Sequence, residues 1–132
     1  MASFNIALTL AKQARTRPSA CAISVGKEQI TYGELATEAA RLAGALATGA
    51  RTRRVGILGT RSIEAYVGVL GAGWAGSAYV PLNLKWPTER LIALFKELRL
   101  DALVADEAGA RLLSPEVLEA APDLVVVPDK SE

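Results

Sequence analysis

The sequence predicts an α/β fold with a mostly parallel sheet, helices on both faces of that sheet and a β-hairpin near the N-terminus. Four short apolar stretches have the length and composition of buried strands: 55–58, 78–82, 102–105 and 124–127. Stretches with helical spacing of apolar residues separate them, and strands joined through helices pair in parallel with right-handed crossovers. The hairpin is predicted because the extended segments 21–25 and 28–31 are separated only by Gly26-Lys27.

The first two helices carry recognisable end signals. The first helix is predicted to end before Pro18, and its apolar residues are expected to share one broad face: Phe4, Ile6, Leu8, Leu10 and Ala14. The second is predicted to begin at a capping box, in which Thr31 accepts from the amide of Glu34 and the Glu34 carboxylate reaches back. Gly49 is expected to end this helix.

The third helix, residues 63–74, is apolar nearly all round, which predicts burial between layers. Ser62 is a candidate N-cap. Small residues at helical spacing would form a smooth face that another backbone could approach: Gly68, Gly71, Ala72 and Ala75.

Residues 71–76 also spell GxGxxG, but these glycines close a helix and precede a strand. A dinucleotide fingerprint needs the opposite order, so we interpret this match as a coincidence.

The stretch 69–90 is predicted to hold the end of the third helix, a tight turn, a strand and the start of a fourth helix. Gly76 permits the close turn, Tyr79 favours an extended backbone, and Pro87 supplies a helical φ at a helix start. The remaining elements are predicted as follows: a helix at 87–99, a short helix at 115–121 and a frayed end at 128–132. We take residues 1–132 as a single domain.

Composition excludes several classes of function. The net charge is +1, which argues against nucleic acid as the main partner. Residues 1–61 carry nine Lys/Arg against three acids, and 62–132 carry six against eleven. Opposite-signed halves neutralise each other over a compact surface, and a basic recognition patch is the alternative. With no histidine and the single cysteine Cys21, no metal site or internal disulfide is expected. The N-terminus has neither a signal peptide nor a membrane span, and we expect a cytoplasmic protein.

The residues by themselves offer little chemistry. No serine or cysteine has a histidine to activate it, and no P-loop of the form GxxxxGK[ST] occurs. Two loops are candidate contacts: the basic run Arg51, Arg53 and Arg54, and the Gly59–Ser62 turn, where the start of the third helix could bind an anion. A solvated loop is the plainer interpretation of the basic run.

Two segments resemble a known family. Ile30-Thr31-Tyr32-Gly33-Glu34-Leu35 resembles the first core motif of the amino-acid adenylation domains of nonribosomal peptide synthetases, and the stretch 75–83, AGSAYVPLN, resembles the second. Arg61-Ser62 and the stretch 87–91 are also similar to that family, so the resemblance covers nearly all of residues 4–127. The chain departs from the peptide-synthetase pattern at Asn83, where Asp is usual; Asn is found in related free-standing amino-acid adenylating enzymes.

The resemblance implies membership of the adenylate-forming superfamily, whose complete members use Mg-ATP to convert a carboxylate to an acyl adenylate. They then usually pass the acyl group to a thiol, often on a carrier protein. No stretch of these residues resembles the family's phosphate loop, substrate pocket or catalytic lysine. The resemblance therefore implies no catalytic, cofactor-binding or metal-binding residue here, and it implies structural roles for the motif positions: Thr31, Tyr32, Glu34, Gly76, Tyr79, Pro81 and Asn83.

We therefore expect an N-terminal scaffold segment of an amino-acid adenylating ligase, inactive by itself. Its partners would be the remainder of the enzyme and a carrier protein, not nucleic acid or a membrane, and it is expected to self-associate. Two alternatives remain open. One is a noncatalytic domain that binds a partner through the smooth face of the third helix or the Arg51–Arg54 loop, and the other is a small nucleotide-binding module that uses the Gly59–Ser62 turn.

Overall fold

The computed structural model describes residues 6–47 and 53–128. Phe4, the helix stop predicted at Gly49, Arg51 and the part of the predicted frayed end after Pro128 lie outside the described residues. The elements are α1 Ile6–Thr16, β1 Cys21–Val25, β2 Glu28–Thr31, α2 Tyr32–Leu46, β3 Arg54–Leu58, α3 Ile63–Trp74, β4 Ala78–Leu82, α4 Thr88–Leu98, β5 Ala102–Ala105, α5 Glu107–Ala110, α6 Pro115–Ala120 and β6 Leu124–Val126.

The main sheet has four strands in the order β4-β3-β5-β6, and all its neighbours are parallel. In the register, Val55 of β3 lies between Tyr79 of β4 and Ala102 of β5. The strands β1 and β2 form a separate antiparallel hairpin. The predicted fold class, with its parallel sheet and N-terminal hairpin, is therefore confirmed.

Neighbouring residues of a strand point to opposite faces of the sheet. Both faces of this sheet carry apolar side chains, and helices cover both of them. Val55, Ile57 and Val104 pack in one buried cluster with α2 and α3. Leu58 and Leu103 pack in a second cluster with α4 and α6. The two central strands, β3 and β5, are accordingly almost continuously buried, as expected where helices cover both faces of a parallel sheet, whereas the edge strand β4 is largely exposed.

A third cluster joins α1, the hairpin and the start of α2, and it contains Leu10 as predicted, but the rest of the predicted face of α1 is partly wrong. The buried residues of α1 are Ala7 and Leu10. Ile6 and Leu8, which the prediction placed on the inner face, are 48% and 69% exposed. Ile6, Leu8 and Leu10 are two positions apart, whereas a helix buries residues three or four positions apart, so these three cannot all lie on one narrow buried face.

The smooth face of α3 lies inside the fold. A side chain at Gly71 would meet Leu42 of α2, and one at Gly68 would meet Ile57 and Val104 of the sheet. The close approach that these glycines permit is therefore made by α2 and the sheet. Because this face of α3 is buried within the fold, it is not available for a separate partner to bind.

The GxGxxG segment ends α3 and leads into β4, as the sequence predicted. Gly76 has φ +78°, and Ser77 N donates to Ala72 O at 2.8 Å in the turn that closes the helix. These glycines therefore lie at the carboxyl end of a helix, where the dipole disfavours a pyrophosphate.

The left-handed conformation of Arg99 predicts that a substitution there can stabilise the fold. Arg99 follows α4 with φ 49° and ψ 55°, a left-handed conformation that suits glycine better than a residue with a Cβ. We expect Arg99→Gly to raise the free energy of unfolding by about 0.5–1 kcal/mol, as measured by urea denaturation. Arg99→Ala, which removes the side chain but keeps the Cβ, is the matched control and should give no gain. Equal gains in both variants would contradict the conformational explanation.

Candidate functional site

The topology directs attention to the carboxyl ends of β3 and β5. From β3 the chain continues to β4 on one side, whereas β5 leads to β6 on the other, so the direction of the strand order reverses between β3 and β5. Open α/β sheets bind their ligands at such a switch point, outside the carboxyl ends of the strands. Two loops meet there: the Gly59–Ser62 turn after β3, and the turn that begins at Asp106 after β5.

The Asp106 carboxylate fills the space between these two loops. Its Oδ2 accepts hydrogen bonds from Thr60 N at 2.7 Å, Thr60 Oγ1 at 3.0 Å and Ser62 Oγ at 2.8 Å. Its Oδ1 accepts from Gly109 N at 2.8 Å. Asp106 is only 2% exposed and is the one buried charged residue in the part of the chain that the structure describes. A single buried anion thus connects the ends of two neighbouring strands.

The surrounding backbone is shaped to this carboxylate. Ser62 caps α3, because its Oγ accepts from Ala65 N at 3.0 Å while it donates to Asp106. A Cβ at Gly59 would lie 2.9 Å from the Asp106 carboxyl carbon. A Cβ at Gly109 would overlap the carbonyl oxygen of Leu58. Both loops therefore approach each other as closely as two glycines allow.

Electrostatics keep Asp106 ionised. Burial raises the pKa of this carboxyl, but the hydrogen bonds donated by Gly109, Thr60 and Ser62 stabilise the charged form and hold its pKa below the ordinary value. A carboxylate with four donors is a satisfied structural anion. It lacks the raised pKa of a group poised to donate a proton near neutral pH.

This arrangement bears on the nucleotide-binding alternative. An anion bound at the Gly59–Ser62 turn would need hydrogen bonds from the amide and hydroxyl groups of the turn. Thr60 N, Thr60 Oγ1 and Ser62 Oγ already donate to Asp106. A phosphate would have to displace a buried carboxylate, so the geometry disfavours this turn as a nucleotide site.

The other candidate loop lies at the opposite, amino edge of the sheet. Asp101 Oδ2 accepts from Arg53 N at 2.8 Å and from Arg54 N at 2.9 Å, and Arg54 donates from its guanidinium to Leu98 O at 2.9 Å. The hydrogen bonds from Arg54 and Arg53 lower the pKa of Asp101. Arg54 thus links β3 to the end of α4, which is a structural role.

The residues of the first motif form a local structure at the start of α2. Thr31 Oγ1 accepts from Glu34 N at 3.2 Å, and Glu34 Oε1 accepts from Thr31 N at 3.1 Å, so the capping box is present as predicted. The hydrogen bond from the Thr31 backbone lowers the pKa of Glu34. The guanidinium of Arg17 lies 5.6 Å from the centre of the Tyr32 ring.

The residues of the second motif lie in and around β4, which is an edge strand of the sheet. Gly76 forms the turn before the strand; Tyr79 is 49% exposed, and Pro81 is also exposed. Asn83 Oδ1 accepts from Lys85 N at 2.8 Å just after the strand. The structure therefore does not bring the two motifs together at one site, and their structural roles stay predictions.

Sequence reasoning missed Asp106 and the short helix α5 that follows it. The available signal was an acidic residue directly after the buried strand 102–105, followed three positions later by Gly109. Asp is a favoured N-cap, and its side chain does accept from Gly109 N. Its bonds to Thr60 and Ser62 span 46 and 44 residues, and no local pattern indicates them.

Residues 10–132 match the family described as AMP-binding enzyme. The chain belongs to this family. The predicted recognition of an adenylate-forming enzyme is confirmed. Malpinin synthetase of Mortierella alpina is 38% identical over 104 residues, which cover 77% of this chain and 1% of that protein. Gramicidin S synthase 1 of Brevibacillus brevis is 33% identical over 104 residues, covering 77% and 9%.

Solved structures of AMP-binding relatives share the fold. IdnL7 has a TM-score of 0.82 at 31% identity, covering 97% of this chain and 26% of its own. A benzoate CoA ligase from Burkholderia xenovorans LB400 has a TM-score of 0.82 at 27% identity, covering 96% and 26%. This AMP-binding chain therefore spans about a quarter of the length of these solved relatives and far less of the length of the synthetases.

Within 6–47 and 53–128, no helix has both the length and the apolar composition needed to cross a membrane. In the same ranges, no three or more His, Cys, Asp or Glu side chains are grouped so that they could hold a metal ion.

Proposed function

We propose that this chain is the N-terminal scaffold segment of an ATP-dependent ligase that converts an amino acid, or another carboxylic acid, to its adenylate. The observation that carries the proposal is the family match over 10–132 together with a fold that covers 97% of this chain but 26% of IdnL7. The names of the relatives, synthetases and a benzoate CoA ligase, agree with acid activation followed by transfer to a thiol.

The geometry of the switch point supports a scaffold role. Adenylation develops charge on phosphate oxygens, and an enzyme stabilises that charge with preorganised donors and a metal ion. At the switch point, Asp106 already accepts from Thr60, Ser62 and Gly109. The hydrogen-bond donors at the carboxyl ends of β3 and β5 therefore hold the loops after these two strands together and do not face a substrate.

In the complete enzyme, ATP and Mg²⁺ would be bound by residues outside this chain, and the acyl acceptor would be a thiol, such as that of a carrier protein. The contribution of this segment is mechanical: a buried parallel sheet keeps the ends of β3 and β5 in fixed positions. Loops supplied by the remainder of the enzyme can then be placed accurately against that edge, since sites built on rigid elements keep their geometry.

The scaffold proposal predicts that the purified 132-residue chain catalyses no ATP–pyrophosphate exchange. Exchange would be measured with each proteinogenic amino acid and with benzoate, beside the intact benzoate CoA ligase from Burkholderia xenovorans LB400 as a positive control. We expect incorporation equal to the protein-free blank. Exchange that depends on an added acid would overturn the assignment of the reactive groups to other residues.

A calorimetric titration with ATP separates the scaffold from the nucleotide-binding alternative. The scaffold proposal expects no saturable heat of ATP binding by this chain. Saturable binding that is lost in Thr60→Ala would instead support a nucleotide site at the Gly59–Ser62 turn.

A further inference from the structure

We draw no further inference here: the strongest candidate, the apolar groove between α1 and the β1–β2 hairpin that Leu10, Ile23 and Leu70 line, adjoins residues 1–5, which lie outside the described residues, and nothing in the part of the chain that the structure describes shows what covers it.

Discussion

Gly109→Ala should destabilise the fold by about 3 kcal/mol or more, at the upper end of the range for overpacked buried sites. The new Cβ would overlap the carbonyl oxygen of Leu58. That carbonyl cannot easily move away, because it ends β3 and accepts from Asp106 N at 3.2 Å. The amide of Gly109 itself donates to Asp106 Oδ1 at 2.8 Å. The substitution therefore strains the contact between both loops of the switch point.

The measurement is the midpoint of urea denaturation, with Gly44→Ala as the control. Gly44 lies within α2, and a Cβ there would meet no atom within 4 Å. Alanine forms helix better than glycine, so this control should gain about 0.5–1 kcal/mol. If Gly109→Ala were as mild as an ordinary surface substitution, the close packing of α5 against the end of β3 would be refuted.

Asp106→Ala should cost about 3–5 kcal/mol of unfolding free energy, the range expected when one partner of a buried charged network is removed. Thr60 N and Gly109 N would lose their acceptor, and the Ser62 hydroxyl would lose one of its partners. Asp101→Ala is the control, since its carboxylate accepts two backbone hydrogen bonds at the exposed edge of the sheet. Its loss should be clearly smaller.

The Asp106 carboxylate also predicts a pH dependence. Its pKa in the folded chain lies below the ordinary value of 3.8, so its contribution to stability is complete above that value. The contribution is lost as the pH falls from the ordinary value through the lower folded pKa, because protonation then removes the charge that accepts the hydrogen bonds. Urea denaturation from pH 6 to pH 2 would measure this decline.

Asp106→Asn should flatten the decline below pH 4, since the amide does not titrate. Asp123→Asn replaces an exposed carboxylate before β6 and should keep the decline of the original chain. A decline of unchanged size in Asp106→Asn would show that other carboxylates cause the acid sensitivity.

Much of the fold could be predicted from the sequence because its signals are local. The capping box at Thr31 and Glu34, the cap at Ser62 and the turn at Gly76 each depend on groups within about five residues of one another. The alternation of strands and helices implied a parallel sheet, and that sheet is present. The predicted face of the first helix is wrong at Ile6 and Leu8, which are apolar residues that the fold leaves exposed, and right at Leu10, which is buried.

The candidate site could not be predicted in the same way. Asp106 was identifiable as an acid after a strand, but its donors Thr60 and Ser62 lie more than forty residues earlier in the chain. They become its neighbours only because β5 pairs with β3 in parallel, which places the two strand ends side by side.

The sequence by itself determined most of the helices and strands, the capping box at Thr31, the cap at Ser62 and the family, since these follow from residues close together along the chain and from two recognisable motifs. Only the tertiary structure decided that Asp106 closes the Gly59–Ser62 turn and that the α3 glycines pack inside the fold. The physical reason is that these features arise from packing between distant segments. The free energy of such contacts depends on the whole arrangement of the sheet and helices.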